Sequence, residues 1–273
     1  MPRNITIGDL DILCVTDGVL KSSIDFVLGL EPEDARRISG ADADGALHIP
    51  VNNFVFGRDD ATVLIDAGAG NTMQPTLGQL PANLRDAGLD PASVTHVLLT
   101  HLHPDHANGL VDDEGRAVFP NAEILVHETE FDFWMTASDR SEIESVARMR
   151  ARNRINLAPY MSRIKTMKDG EAALGCTPIL APGHSPGHTC WRIETGAQPL
   201  IAWGDLVHFS TIQICHPSIA VKYDLEPDRA RQSRLSMLEL IAKDRLAIAG
   251  AHVSAPGLGH VTQHGTGFRF EPL

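Results

Sequence analysis

The sequence predicts an α/β domain in which helices cover packed sheets. Three observations carry this reading. Short apolar strand-like runs occur in both halves of the chain, segments of helical periodicity lie between them, and no repeat or low-complexity linker divides the 273 residues. Interleaved strands and helices bury their apolar faces by packing in layers. With 43% hydrophobic residues the chain can bury a large core, and residues 1–273 are read as one domain with a loop-rich segment at 17–50.

Each element follows from its local pattern. The first 16 residues read as a strand pair, with Ile5, Ile7, Leu10, Ile12 and Val15 placed around Gly8-Asp9. Residues 17–50 are rich in Gly, Asp and Pro and read as loops, with a short helix at 32–38. Strands are expected at 53–56 and 61–65, then a helix at 76–87 broken near its start by Pro81. Residues 94–100 form a buried strand by their β-branched and leucine content. Another short strand is expected at 122–126, and 128–155 is helical, with two helices meeting near Ser138-Asp139. Three strands at 177–181, 189–194 and 200–203 are separated by Gly-rich turns. Residues 227–243 read as a strong helix that opens on Pro227, where no backbone donor is needed. A last strand at 246–249 precedes a Gly-rich tail.

Composition narrows the function. The formal net charge is −12 and no basic cluster is longer than Arg36-Arg37, which argues against a nucleic-acid partner. The opening "MPRNITIGDLDILCV" alternates apolar and polar residues, unlike a signal peptide. No run reaches the roughly 20 apolar residues of a membrane span. Cys14, Cys176, Cys190 and Cys215 show no CxxC pairing, so reduced, mostly buried thiols and a cytoplasmic protein are expected.

One segment concentrates chemistry. "THLHPDHANG", residues 100–109, places His101, His103, Asp105 and His106 directly after an apolar run. Imidazole and carboxylate are common ligands of zinc-like metals. His101 and His103, two apart, cannot share a metal on a helix, but at a strand end alternate side chains point to one side. Pro104 disfavours helix around it, and the adjacent Asp105 and His106 diverge as two neighbouring metals would require. Further ligand types stand where other apolar runs stop. "APGHSPGHT" carries His184 and His188, "IAWGDLVH" carries Asp205, and "AIAGAHV" carries His252.

In this order, "HLHPDH", "GHSPGHT", Gly204-Asp205 and His252 resemble the metallo-β-lactamase superfamily, from "LIDAG" at 64–68 onward. The resemblance implies an αββα sandwich with a two-metal site at one sheet edge. It implies that His101, His103 and His184 hold one metal, that Asp105, His106 and His252 hold the other, and that Asp205 bridges them. Asp66 and His188 match positions that support the ligands from behind. Several true β-lactamases have cysteine where this chain has Asp205. A carboxylate bridge suits two borderline metals roughly 3.5–4 Å apart, with zinc the first choice and manganese, iron or cobalt compatible by ligand type. The segments at 203–224 and 249–272 resemble the methyl parathion hydrolase group, which sits near the quorum-quenching lactonases.

Other chemistries fare worse. Gly183 to Gly187 spells G-x-S-x-G, but a nucleophile elbow uses the N–H after its serine, and Pro186 has none. "DAGAG" at 66–70 lacks the third glycine of a dinucleotide fingerprint. A di-iron redox protein on this scaffold usually needs an attached carrier domain, for which no residues remain.

The expected reaction is therefore hydrolysis of a small-molecule lactone or carboxylic ester by a hydroxide bridging two divalent metals, with Asp105 shuttling the proton. Phosphotriester and glyoxalase-type thioester hydrolysis are the alternatives. His208 lies where the resembling lactonases place a tyrosine that contacts a substrate oxygen, so it retains a donor there. His260 and His264 in the tail are surface or pocket residues, and His96 and His127 are structural. Residues 17–50, Phe119 and Phe131-Asp132-Phe133-Trp134 are candidates for core, pocket wall or homodimer contact.

Overall fold

A computed structural model describes residues 3–136 and 143–273. Strands β1 (Arg3–Ile7) and β2 (Leu10–Ser23) form the expected hairpin at the edge of a seven-stranded sheet. It continues through β4 (Ala46–Arg58), β5 (Ala61–Ile65), β6 (His96–Leu98), β7 (Glu123–His127) and β8 (Ile164–Met167). The β5–β8 pairs are parallel. The second sheet has six strands: β9 (Cys176–Leu180), β10 (Thr189–Ile193), β11 (Leu200–Ala202), β13 (Ala247–Ala249), β14 (Leu258–His264) and β15 (Gly267–Pro272). Only its β11–β13 pair is parallel. A small ribbon pairs β3 (Val27–Leu28) with β12 (Ala220–Val221).

Strand alternation creates the layers. Val63 and Ile65 of β5 face inward, where they join Phe54, Leu98 and Leu125 against Trp191, Ile193 and Leu258 of the other sheet. Leu64, between them in sequence, points outward with Val97 and Ile124, under Leu80 and Leu84 of α2 (Leu80–Asp86) and Val146 and Leu157 of α5 (Glu144–Leu157). On the opposite side Cys190, Ile201 and Ile248 pack against Met237, Leu238 and Ile241 of α7 (Pro227–Asp244). Helix, sheet, sheet and helix follow in that order. The remaining α-helices among the described residues are the single turns α3 (Pro104–Ala107), α4 (Glu128–Phe131) and α6 (Ser210–Gln213), and α1 (Pro32–Ser39).

Several expectations need correction. Residues 17–50 are not mainly loop: β2 runs to Ser23 and β4 starts at Ala46, paired from Gly18↔Val51 to Ser23↔Ala46 after a bulge at Thr16/Gly18. Turn-forming composition was outweighed by a cross-strand ladder that only the partner strand reveals. The Gly-rich tail is likewise the hairpin β14–β15. β8 went unpredicted because Ile164–Met167 is only four residues long, with two β-branched residues, and gains its structure by adding to β7. The 76–87 helix begins only at Leu80, because the Asp17 carboxylate takes the N–H groups of Gly78 and Leu80 and holds the preceding residues in a turn. The expected junction at Ser138-Asp139 lies outside the described residues. All four cysteines are free, with Cys14, Cys176 and Cys190 buried and Cys215 exposed. Among the described residues no helix is long and apolar enough to cross a membrane.

Candidate metal centre

The site lies where the parallel strand pairs of both sheets end. Asp66 follows β5, the 99–106 segment follows β6, Asp205 follows β11 and His252 follows β13, while His184 and His188 sit in the β9–β10 turn. The 101–106 cluster does not continue a strand, contrary to the expectation from its alternation. β6 stops at Leu98, His103 is the N-cap of α3, and Pro104 opens that helical turn, where its missing donor costs nothing. Asp105 and His106 diverge because they are successive residues of a helical turn rather than of a strand.

These side chains converge. Ligand atoms of His101, His103, His184 and Asp205 lie within 4.8 Å of one another, as do those of Asp105, His106, Asp205 and His252. Asp205 belongs to both groups. Its Oδ1 is 2.8 Å from His106 Nε2 and 3.0 Å from His252 Nε2, and its Oδ2 is 3.1 Å from His184 Nε2. Asp105 Oδ2 stands 3.5 Å from His252 Nε2. All seven side chains are buried.

Outer contacts assign the tautomers. His252 Nδ1 donates to Pro50 O at 2.8 Å, His106 Nδ1 meets Asp66 Oδ2 at 2.8 Å, and His184 Nδ1 meets Asp224 Oδ1 at 3.1 Å. Thr100 Oγ1 donates to Asp66, which leaves it to accept from His101 Nδ1 at 3.0 Å. A proton on each of these Nδ1 atoms leaves the four Nε2 atoms facing inward. Burial lowers the pKa of His106, His184 and His252, but the Asp205 carboxylate outweighs it and holds all three above the usual histidine range. A cation bound there would take the place of their inward protons. His103 turns Nδ1 inward instead, 2.7 Å from His184 Nε2, which is itself 3.1 Å from His101 Nε2. Three ring nitrogens this close are held together by a shared proton or by a cation that replaces it.

The hydrogen-bond census agrees. His106 Nε2 and Asp205 Oδ1 are buried, close together, and too misaligned to bond. Both are left without a hydrogen-bond partner in a buried site. Burial, reinforced by the neighbouring imidazoles, holds His101 and His103 well below the usual histidine range, so both present lone pairs. Burial opposes ionisation of Asp205, but the surrounding histidines outweigh it and hold the carboxyl well below its usual range. The donor set fits two divalent cations sharing one carboxylate.

His188 stands behind the centre: its Nδ1 donates to Ala181 O and its Nε2 accepts the Asp205 N–H at 2.9 Å. His208 Nε2 lies 2.8 Å from Asp205 Oδ2, and its ring stacks toward His252 at 5.5 Å between centroids. A cavity of about 300 Å³ opens over Asp105, Asp205 and His208, with Leu20, Met149 and Tyr223 in its wall. Neither His260 nor His264 lines it. Phe119 and Trp134 belong to the core under the first sheet, and Trp134 meets the His103 ring edge to face. His127 is the buried N-cap of α4, accepting from Thr129 N, and His96 bonds Thr95.

Sequence reasoning missed Asp224 and Glu130. Neither belongs to a histidine motif, and each reaches its partner only through the fold, 40 and 55 residues along the chain from His184 and Ser185.

A profile of the metallo-beta-lactamase superfamily matches residues 48–252. The chain belongs to the metallo-beta-lactamase superfamily. Curated superfamily relatives include N-acyl homoserine lactonase AiiB of Agrobacterium fabrum, 28% identical over 48% of this chain and 49% of its own length. An N-acyl homoserine lactonase of Bacillus thuringiensis is 30% identical over 55% of this chain and 60% of its own length. The chain thus spans about half to three fifths of the curated relatives it matches. Among solved structures, the beta-lactamase superfamily hydrolase AbOPH superposes with a TM-score of 0.95 at 30% identity, over 100% of this chain and 97% of that one. AidC, a dizinc quorum-quenching lactonase in complex with an N-hexanoyl-homoserine product, superposes with a TM-score of 0.91 at 28% identity, again over 100% and 97%. The metallo-beta-lactamase fold accounts for the order of both sheets and for the placement of the histidine loops at their common edge.

Proposed function

We propose that this chain is a dinuclear metal-dependent hydrolase that opens a lactone or cleaves a carboxylic ester. The observation that carries this reading is the Asp205 carboxylate, shared between two groups of inward-facing histidines. His101, His103 and His184 would hold one cation and Asp105, His106 and His252 the other, with Asp205 common to both. Zinc is favoured by the nitrogen-rich donor set and by the dizinc centre of AidC. When bound, such a pair acidifies a shared water and polarises an electrophilic oxygen.

The chain's own residues do the rest. Asp105 lines both the centre and the cavity above it, where it can take a proton from the attacking water and return it to the leaving alkoxide. His208 faces the same cavity and offers a ring nitrogen to the substrate's oxygen. Leu20, Met73, Met149 and Leu225 give the cavity an apolar wall suited to an acyl chain. The small substrate, the net charge of −12 and the unpaired buried cysteines fit a protein of the cytoplasm that handles no nucleic acid, built as one domain over residues 1–273.

Elemental analysis of purified protein, run beside a hydrolysis panel of lactones, aryl esters, thioesters and phosphotriesters, tests this. Two equivalents of metal with fastest turnover of lactones or esters is expected. Fastest turnover of phosphotriesters or thioesters would reassign the substrate, and protein that binds no metal would refute the mechanism.

A further inference from the structure

The loops that carry the histidines come from different sheets, and one buried side chain ties them together. Glu130 of α4 is fully buried, and its carboxylate takes four hydrogen bonds. Oε1 accepts Leu102 N at 2.8 Å and Trp134 Nε1 at 2.6 Å, while Oε2 accepts Ser185 Oγ at 2.6 Å and Gly187 N at 3.0 Å. Leu102 stands between His101 and His103, and Ser185 follows His184. Trp134 presents its ring to His103 at 5.6 Å between centroids. Asn153 holds the other side of residue 102, donating to Leu102 O at 2.9 Å. Contact behind this staple is close: a Cβ on Gly187 would meet Glu130 N at 2.1 Å.

The two halves share one support, Asp66, which reaches His101 through Thr100, and otherwise rest on different groups. His106 rests on Asp66 and His252 on Pro50 O. No bond from Glu130 reaches the Asp105–His106–His252 group or its supports. Four donors facing one carboxylate require a group that only accepts. A glutamine of the same shape turns an NH₂ toward two of those donors whichever way it flips, so one side of the staple is lost.

We propose that Glu130 is the positioning residue of the His101–His103–His184 half-site, setting the spacing of the 101–103 and 184–187 loops and hence the affinity of that half for its cation. This rests on the dinuclear reading above and touches no substrate.

The test isolates one half-site. His252→Ala removes a ligand from the other group, so titration of metal-free His252→Ala protein with Co²⁺ against a chromophoric chelator reports the remaining half, together with its visible absorption spectrum. Adding Glu130→Gln is expected to weaken Co²⁺ binding by 10- to 100-fold, the range for supports behind a ligand, and to alter the spectrum. Ser185→Ala, which removes one donor and leaves the carboxylate, should give a smaller loss in the same direction. It also keeps the test alive should Glu130→Gln fail to fold. In the otherwise unaltered chain, Glu130→Gln should lower kcat more than it raises KM. Folded Glu130→Gln and Ser185→Ala proteins with unchanged Co²⁺ affinity and spectrum overturn the proposal while leaving the dinuclear reading intact. Absence of Co²⁺ binding before either change refutes both.

Discussion

The backbone N–H of Asp205 donates to Nε2 of His188 at 2.9 Å, while Nδ1 of the same ring donates to Ala181 O at 3.0 Å. The ring is saturated only when neutral, and burial first, then the nearby His184, pushes its pKa down to about 3. A folded pKa below the unfolded value of 6.5 contributes stability that is complete above pH 6.5 and is lost as pH falls toward 3. The contribution is at most about 5 kcal/mol. In metal-free protein, melting temperature should therefore fall more steeply between pH 6.5 and 4 for the natural chain than for His188→Gln, which keeps a donor and an acceptor but does not titrate. Parallel curves would show that the ring's protonation contributes nothing.

Asp205 is the carboxylate that two histidine groups share. Asp205→Asn leaves one oxygen and turns a donor toward lone pairs. Fewer than two metals should be retained after dialysis, and kcat/KM should drop by roughly 10³-fold, equivalent to about 4 kcal/mol. Elemental analysis and steady-state kinetics check this together. Full metal content with undiminished turnover is incompatible with a bridging role.

Asp224 and Asp66 reach the centre through different histidines. Asp224→Asn should weaken metal binding through His184, and Asp66→Asn through His106 and Thr100, each by about 10- to 100-fold. Combining them should give losses that multiply, since the two carboxylates support different ligands. A chelator titration of both single variants and the double variant measures the coupling.

The cavity wall should read acyl length. Shortening Met149, which is half-buried beside Leu225 and Tyr223, removes apolar contact of about 1–2 kcal/mol from a long acyl chain. Met149→Ala should raise KM for a long-chain acyl lactone about tenfold and leave an unsubstituted lactone unchanged. Equal effects on both would place the acyl group elsewhere.

Much of the layered fold is legible in the alternation of buried strands, as at Val63, Leu64 and Ile65, because side-chain direction follows residue parity. Regions where pairing overrides composition are less legible. Ala46 to Pro50 reads as loop until β2 lies beside it, and Gly259 and Gly267 do not stop β14 and β15 from forming a hairpin. Pro104 misled the local reading because proline breaks a helix interior but opens a helix well, and which applies depends on where His103 caps the turn.

The sequence by itself determined the kinds of ligand and their places at the ends of apolar runs, because imidazole and carboxylate chemistry and strand termination are local properties. Tertiary structure alone decided what stands behind them. Asp224 and the Pro50 carbonyl bond histidines, and Glu130 bonds Ser185 beside one, tens to hundreds of residues away, and a hydrogen bond depends on distance in space, to which separation along the chain gives no guide.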